Sequence, residues 1–181
     1  MDLQYPIGKF AWDRSGEGLL ASEAERQQWL ADIEDTPARL RAAVAGLTEA
    51  QFDTPYRPGG WTVRQVVHHL PDSHMNAYVR FRLALTEDEP TIKPYEEKRW
   101  ATLSDAVTAP PEVSLTLLEG LHQRWVLLLR SMKPEDFARG IKHPELGPVK
   151  LEKYLAMYAW HGKHHVAHIT GLRERSGWVH A

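Results

Sequence analysis

Apolar side chains recur at intervals of three and four residues in four long segments, a pattern that predicts four amphipathic helices. The first opens at Ser22, where "SEAE" has the form of a capping box: the Ser22 hydroxyl caps the helix and Glu25 reaches back. It is expected to run to about Gly46, with Pro37 bending it or splitting it in two. "LTEAQFDTPYRPGG" reads as a short turn of helix followed by a loop. The second long helix starts near Trp61–Thr62 and continues to about Leu85 despite Pro71. Its apolar arc is Val63, Val66, Leu70, Ala77, Phe81 and Ala84. Residues 86–111 form a connection containing four prolines, too long for an ordinary helix–helix loop. A third helix spans roughly Pro111 to Ser131, with Leu115, Leu118, His122, Trp125 and Leu129 on one seam. "IKHPELGPVKL" reads as a small extended excursion, and a fourth helix runs from about Leu151 to Arg175, stopped by Gly177.

No internal repeat and no long strand pattern interrupts this sequence of elements. Four amphipathic helices with one long crossover describe an all-α four-helix bundle. At 181 residues the chain is read as a single domain, 1–181, whose first 21 residues form an N-terminal extension. Composition fits a soluble globular protein, with 43% apolar and 25% charged residues. A formal net charge of −2 argues against nucleic acid or an anionic membrane as partner. No apolar run approaches the roughly 18 residues that span a bilayer, and "MDLQYPIGKF" lacks the form of a signal peptide, so a cytoplasmic location is expected. Cysteine is absent. Any metal must therefore rest on His, Asp and Glu.

"YAWHGKHHVAHI", residues 158–169, holds four of the ten histidines. On the fourth helix Leu151, Tyr154, Leu155, Tyr158, Ile169 and Leu172 define the buried arc. His161 and His165 fall within or at the edge of it, one turn apart, where two imidazoles can share a cation. His168 lies at its flank, as a core residue or a partner to a ligand. His164 sits roughly a quarter-turn beyond the arc and is expected to bind nothing directly. A third imidazole must come from another helix, and "WTVRQVVHHLPDSH" supplies His68, His69 and His74. His69 flanks the apolar arc of the second helix, in line with Ser73 and Arg80, where a cleft-lining residue belongs. His68 points away from the core toward solvent or an interface. His74 falls within the arc, as a hydrogen-bonded core histidine or a site residue. His122, on the seam of the third helix, is either a buried histidine bonded to a neighbour or a base facing the substrate.

Several chemistries are excluded by what is missing. "HGKHH" lacks the glutamate of HExxH metalloproteases. Glu119 and His122 form one ExxH, but no second copy accompanies it, which argues against a dinuclear carboxylate centre. Neither GxSxG nor a Walker A loop occurs.

"GGWTVRQVVHHLPDSHMNAYVRF", followed some ninety residues later by "YAWHGKHHVAHI", resembles the DinB superfamily, and within it the YfiT-like group of metal-dependent hydrolases and bacillithiol S-transferases. "LQYPIGKF" and "TPYRPGGWTVRQVVHHL" are similar to that group too, so the resemblance covers nearly the whole chain. It implies an up-down-down-up bundle, a homodimer, and a metal held by three histidines. Those positions are the His before the Leu in the Trp-Thr helix and the two ends of an HxxxH in the last helix, here His69, His161 and His165. Pro71, directly after His69–Leu70, departs from the pattern and is expected to kink the helix beside the metal.

Three neutral imidazoles leave a divalent cation its full charge and an open position, as in catalytic sites. One such metal per chain is expected, Zn2+ first, with Ni2+ or another divalent ion tolerated. Water activation there gives hydrolysis; thiolate binding gives transfer of a low-molecular-weight thiol, which the substrate must supply because the chain has no cysteine. A small-molecule substrate is expected in either case. His122 and Arg80 are the candidate catalytic residues, Arg80 holding a carboxylate of an acidic substrate or else forming a surface ion pair. The 86–111 connection, with Tyr95 and Trp100, either covers the site or avoids it. A metal-stabilised binding or scaffold bundle without turnover is the alternative from another class.

Overall fold

The computed structural model describes residues 2–12 and 21–178. Residue 1 and residues 13–20 of the expected N-terminal extension lie outside the described residues, as do 179–181. Four long helices carry the fold: α1 (Glu23–Val44), α3 (Val63–Thr86), α6 (Pro111–Ser131) and α7 (Leu151–Arg175). Short helices α2 (Glu49–Phe52), α4 (Glu97–Trp100) and α5 (Ser104–Thr108) occupy the connections. A 3-10 turn (Pro134–Ala138) and a two-stranded antiparallel hairpin, β1 (Gly140–His143) and β2 (Gly147–Lys150), link α6 to α7.

The helix starts follow from local chemistry. Ser22 accepts a hydrogen bond from the Glu25 amide (3.2 Å) while the Glu25 carboxylate accepts from the Ser22 amide (2.8 Å). Thr48 with Gln51, and Thr62 with Gln65, repeat the reciprocal cap on α2 and α3. Neither proline divides its helix: α1 continues through Pro37 and α3 through Pro71.

Side-chain pairs fix the direction of each helix. Arg26 with Glu152 near one end, Lys163 with Asp32 midway, and Arg173 on the Ala43 carbonyl near the other make α1 and α7 parallel. Arg41 with Glu112 and Arg130 with Glu34 make α1 and α6 antiparallel. His68 with Ser114 and His74 with His122 make α3 parallel to α6. The order is thus up-down-down-up. Parallel neighbours α3 and α6 require the chain to travel back along the whole bundle, about 36 Å for a 24-residue helix. Residues 87–110 make that return, and Arg64, Gln65 and His68 fasten it through the carbonyls of Ala109 and Ala101.

Two apolar clusters fill the bundle. One gathers Ile33, Phe81, Trp125, Leu129, Tyr154 and Leu155; the other Leu40, Val66, Leu70, Leu118, Ile169 and Leu172. Each long helix passes from one cluster to the other, and buried or half-buried polar residues stand at the crossing: Thr36 on α1, His69, Ser73 and His74 on α3, His122 on α6, His161 and His165 on α7. A layer of imidazoles therefore lies between two dry halves of the core.

Gly162, inside that layer, lets α7 approach α1. A Cβ there would meet Thr36 Oγ1 and Cγ2, the latter at 2.8 Å, and the Thr36 hydroxyl is itself committed to the Asp32 carbonyl (2.8 Å). Alanine gains up to about 1 kcal/mol in helix propensity, but overpacking of this kind costs about 1–3 kcal/mol. We expect Gly162→Ala to destabilise the protein by about 1 kcal/mol net, a fall in Tm of about 2–4 °C by calorimetry for a chain of this size; an increase in Tm would contradict the packing described.

Candidate metal centre

His69 from α3 and His161 and His165 from α7 converge at the polar layer, each offering a ligand nitrogen within 4.8 Å of the others. The His69 and His161 Nε2 atoms are 3.3 Å apart. Two imidazole nitrogens bound tetrahedrally to one cation at about 2.1 Å lie about 3.4 Å apart, so this pair already stands at two vertices of such a site. Ring centroids of His69 and His165, and of His161 and His165, are separated by 4.8 and 4.5 Å. Trp61 packs against both His69 (4.7 Å) and His165 (6.4 Å, nearly parallel), holding their planes.

The protonation states suit ligands. Burial, reinforced by the neighbouring imidazoles, pushes the His69 pKa down to about 4 and holds those of His161 and His165 well below the ordinary value. All three are therefore neutral at pH 7 with a lone pair to give. His165 Nδ1 is buried without a hydrogen-bond partner among the described residues, so its ring is not tied up by protein groups on that side. Donor chemistry, spacing and protonation all fit a divalent cation.

Behind His161 the polar contacts continue inward. His161 Nδ1 is 3.0 Å from His74 Nε2, His74 Nδ1 is 2.8 Å from His122 Nε2, and His122 Nδ1 is 2.7 Å from the Ile33 carbonyl oxygen. Both nitrogens of His122 are thus engaged inside the core. It is not presented to the cavity beside the three converging histidines as a substrate-facing base.

A second histidine group, His164, His165 and His168, also lies within 4.8 Å. It shares His165 with the first group, and all its members sit on a single turn and a half of α7. His168 Nε2 donates to the Gln4 carbonyl (3.1 Å) and its ring stacks on Tyr56 at 3.9 Å, while its Nδ1, like that of His164, is buried without a hydrogen-bond partner among the described residues. The first group draws on two helices and has its geometry braced from both sides.

Three expectations about side-chain direction are corrected. His68 does not face solvent or an interface; it is buried, bonded to the Ser114 hydroxyl (2.7 Å) and the Ala109 carbonyl (3.1 Å), because α6 and the crossover enclose the outer side of α3. His164 is buried rather than turned outward, stacked on Trp160 at 4.4 Å with Tyr5 of the N-terminal segment nearby. Among the described residues Arg80 forms no surface ion pair, and it does not line the cavity over the three histidines; it is buried with its guanidinium over the Tyr154 ring.

That cavity has a volume of about 520 Å³. Its floor is the imidazole group and its walls include Arg57, Trp61, Trp160, Glu97 and Lys98. Glu97 is the one carboxylate in its wall among the described residues. Glu97 and Lys98 come from α4, so the crossover does cover the site, whereas Tyr95 and Trp100 line a separate cavity of about 580 Å³. Arg57, Glu97 and Lys98 went unassigned from sequence, because a loop residue's direction depends on where the loop docks. The short "TPYRPGGW" stretch around Arg57, residues 54–61, is the available signal.

A profile of the DinB superfamily matches residues 19–169. A relative from Bacillus cereus (strain 03BB102), named "Putative metal-dependent hydrolase", is 54% identical over 98% of this chain and 99% of its own length. A relative of the same kind from Bacillus mycoides (strain KBAB4) is 53% identical over the same shares. Among solved structures, YfiT from Bacillus subtilis, described as "a probable metal-dependent hydrolase with an unusual four-helix bundle topology", superposes with a TM-score of 0.93 at 49% identity. The match covers 99% of this chain and all of that one. The four-helix bundle protein TT2238 shares the fold, with a TM-score of 0.53 at 21% identity over 78% of this chain and 94% of its own.

The neutral imidazoles predict a pH dependence. His69 and His122 titrate near 4 when folded and near 6.5 when unfolded, with burial as the leading cause. Below pH 6.5 the unfolded chain binds more protons, so the contribution is complete above that pH and is lost as pH falls toward 4. Each such group removes about 1.4 kcal/mol per pH unit inside that window. Urea titrations of chelator-treated protein should show stability falling by at least this slope between pH 6 and 4.5; a flat profile there would contradict the assigned states.

Proposed function

The chain belongs to the DinB superfamily, and from that premise we propose that it is a mononuclear metal-dependent enzyme, acting as a hydrolase on a small-molecule substrate. The observation that carries this reading is the convergence of three neutral imidazoles, His69, His161 and His165, on the floor of a cavity large enough for such a substrate. Three neutral ligands with no carboxylate among them leave an open coordination position, and the chemistry a Zn2+ or other divalent ion supplies there is activation of water or of a thiol near neutral pH.

The chain's own groups divide the remaining work. Glu97, a carboxylate lining the cavity, is the group we assign to accept the proton that the nucleophile gives up. Arg57 and Lys98 favour a substrate that carries negative charge. Trp61 and Trp160 supply apolar walls that exclude water from one side of the floor. Transfer of a low-molecular-weight thiol is the second reading, favoured by the same two cations and by the absence of cysteine from the chain. A cytoplasmic location and a homodimer belong to this proposal as well; no helix among the described residues is long and apolar enough to cross a membrane.

Metal analysis and an activity screen test the proposal together. Wild type should carry one divalent ion per chain and His161→Ala essentially none; full retention of metal by that variant would remove the assignment. Ester, amide and epoxide substrates should then be offered with and without bacillithiol. Thiol-independent cleavage abolished by chelator supports hydrolysis, and chelator-sensitive loss of electrophile only with thiol supports transfer. Stoichiometric metal with neither activity favours the scaffold alternative. Glu97→Gln should retain metal and lower kcat by about 10²-fold or more.

A further inference from the structure

We propose that His74 and His122 are positioning residues that fix the tautomer of His161, turning its Nε2 lone pair toward His69 and the shared cation position. The argument runs along the hydrogen bonds in one direction. The Ile33 carbonyl can only accept, so His122 Nδ1, 2.7 Å away, must carry its hydrogen. A neutral His122 then has a bare Nε2, which accepts from His74 Nδ1 at 2.8 Å. That leaves His74 Nε2 bare, and it accepts from His161 Nδ1 at 3.0 Å. His161 is therefore left with its hydrogen on Nδ1 and its lone pair on Nε2, the atom 3.3 Å from His69 Nε2. One backbone carbonyl sets three tautomers in series.

The starting point of the series is supplied by a proline. In an uninterrupted helix the Ile33 carbonyl would receive the amide of residue 37, but Pro37 has none. That acceptor is free inside the core, and His122 from α6 takes it. The rings in between are walled rather than solvated. Trp125 meets His74 and His122 edge-on at 5.9 and 5.8 Å, and Tyr158 meets His74 edge-on at 5.2 Å. Both histidines are buried, at 0% and 2% exposure, and no carboxylate among the described residues bonds to either, so the neutral form assumed for the series is the one this environment selects. Two buried imidazoles with every nitrogen satisfied, aimed at a third that faces the ligand group, are more than core filling requires.

The inference deepens the metal reading and takes its purpose from it, but its test stands apart. Long-range 1H–15N NMR of the metal-free full chain near pH 7 should show His122, His74 and His161 each protonated on Nδ1 and bare on Nε2. An Nε2-protonated form at any of the three overturns the series, whether or not the protein binds metal. Failure of His161→Ala to lose metal would instead overturn the metal reading alone. Two variants then separate tautomer control from packing. His122→Phe keeps a ring but offers no acceptor to His74, and should weaken Zn2+ binding by about 10- to 100-fold in a chelator competition. His122→Gln offers its Oε1 to His74 Nδ1 and should stay within about threefold of wild type. Equal affinity of His122→Phe and wild type, or an equal loss in both variants, overturns the proposal; should a variant fail to fold, the wild-type tautomer spectrum decides.

Discussion

A buried imidazole must be satisfied at both nitrogens or remain a costly exception, and this bundle places a whole layer of them across its middle. Two apolar clusters hold the layer from either end, and the layer opens on one side into the cavity. Much of the surrounding architecture answers that demand. The Pro37 gap in α1 releases a carbonyl, Gly162 lets α7 close on α1, and the up-down-down-up order brings α3 and α7 side by side so that His69 meets His161. The crossover that this order requires then supplies the cavity wall. Fold and site are therefore one construction rather than a scaffold with residues grafted on.

The same layer explains why the site is poised for a cation rather than a proton. Burial keeps the ring pKa values low, which preserves lone pairs at neutral pH. A ligand nitrogen from each of the three rings lies within 4.8 Å of the others, close enough to share one cation. The cavity above has room for a small molecule and is lined by Arg57, Lys98 and, among the described residues, one carboxylate, Glu97. A nucleophile generated at the floor would meet a substrate held from above, with apolar indoles limiting competition from bulk water.

Much of this was legible in the sequence, and the reasons are physical. A 3.6-residue period forces apolar positions onto one stripe, so the arcs of α3, α6 and α7 read correctly: Val66, Leu70, Phe81, Leu118, Trp125, Leu155 and Ile169 are all buried. Reciprocal caps depend on neighbours in sequence, and Ser22 with Glu25 behaves as its spacing dictates. The convergence of His69, His161 and His165 followed from combining a wheel with a family pattern. What failed was the assumption that a helix has one buried face. α3 is enclosed by α6, α7 and the crossover, which buries His68, and the N-terminal segment lies over α7, which buries His164. The anchoring of His122 to Ile33 was invisible for a related cause, since it joins residues 89 positions apart through a carbonyl whose availability depends on a proline in another helix.

The most direct test of the account is an anomalous-scattering crystal structure of the protein supplied with one equivalent of Zn2+ per chain. A single peak is predicted, about 2.0–2.1 Å from one ring nitrogen each of His69, His161 and His165, with His74 still bonded to His161 Nδ1. A peak held by His164 and His168 instead, or no bound ion at one equivalent, would contradict it.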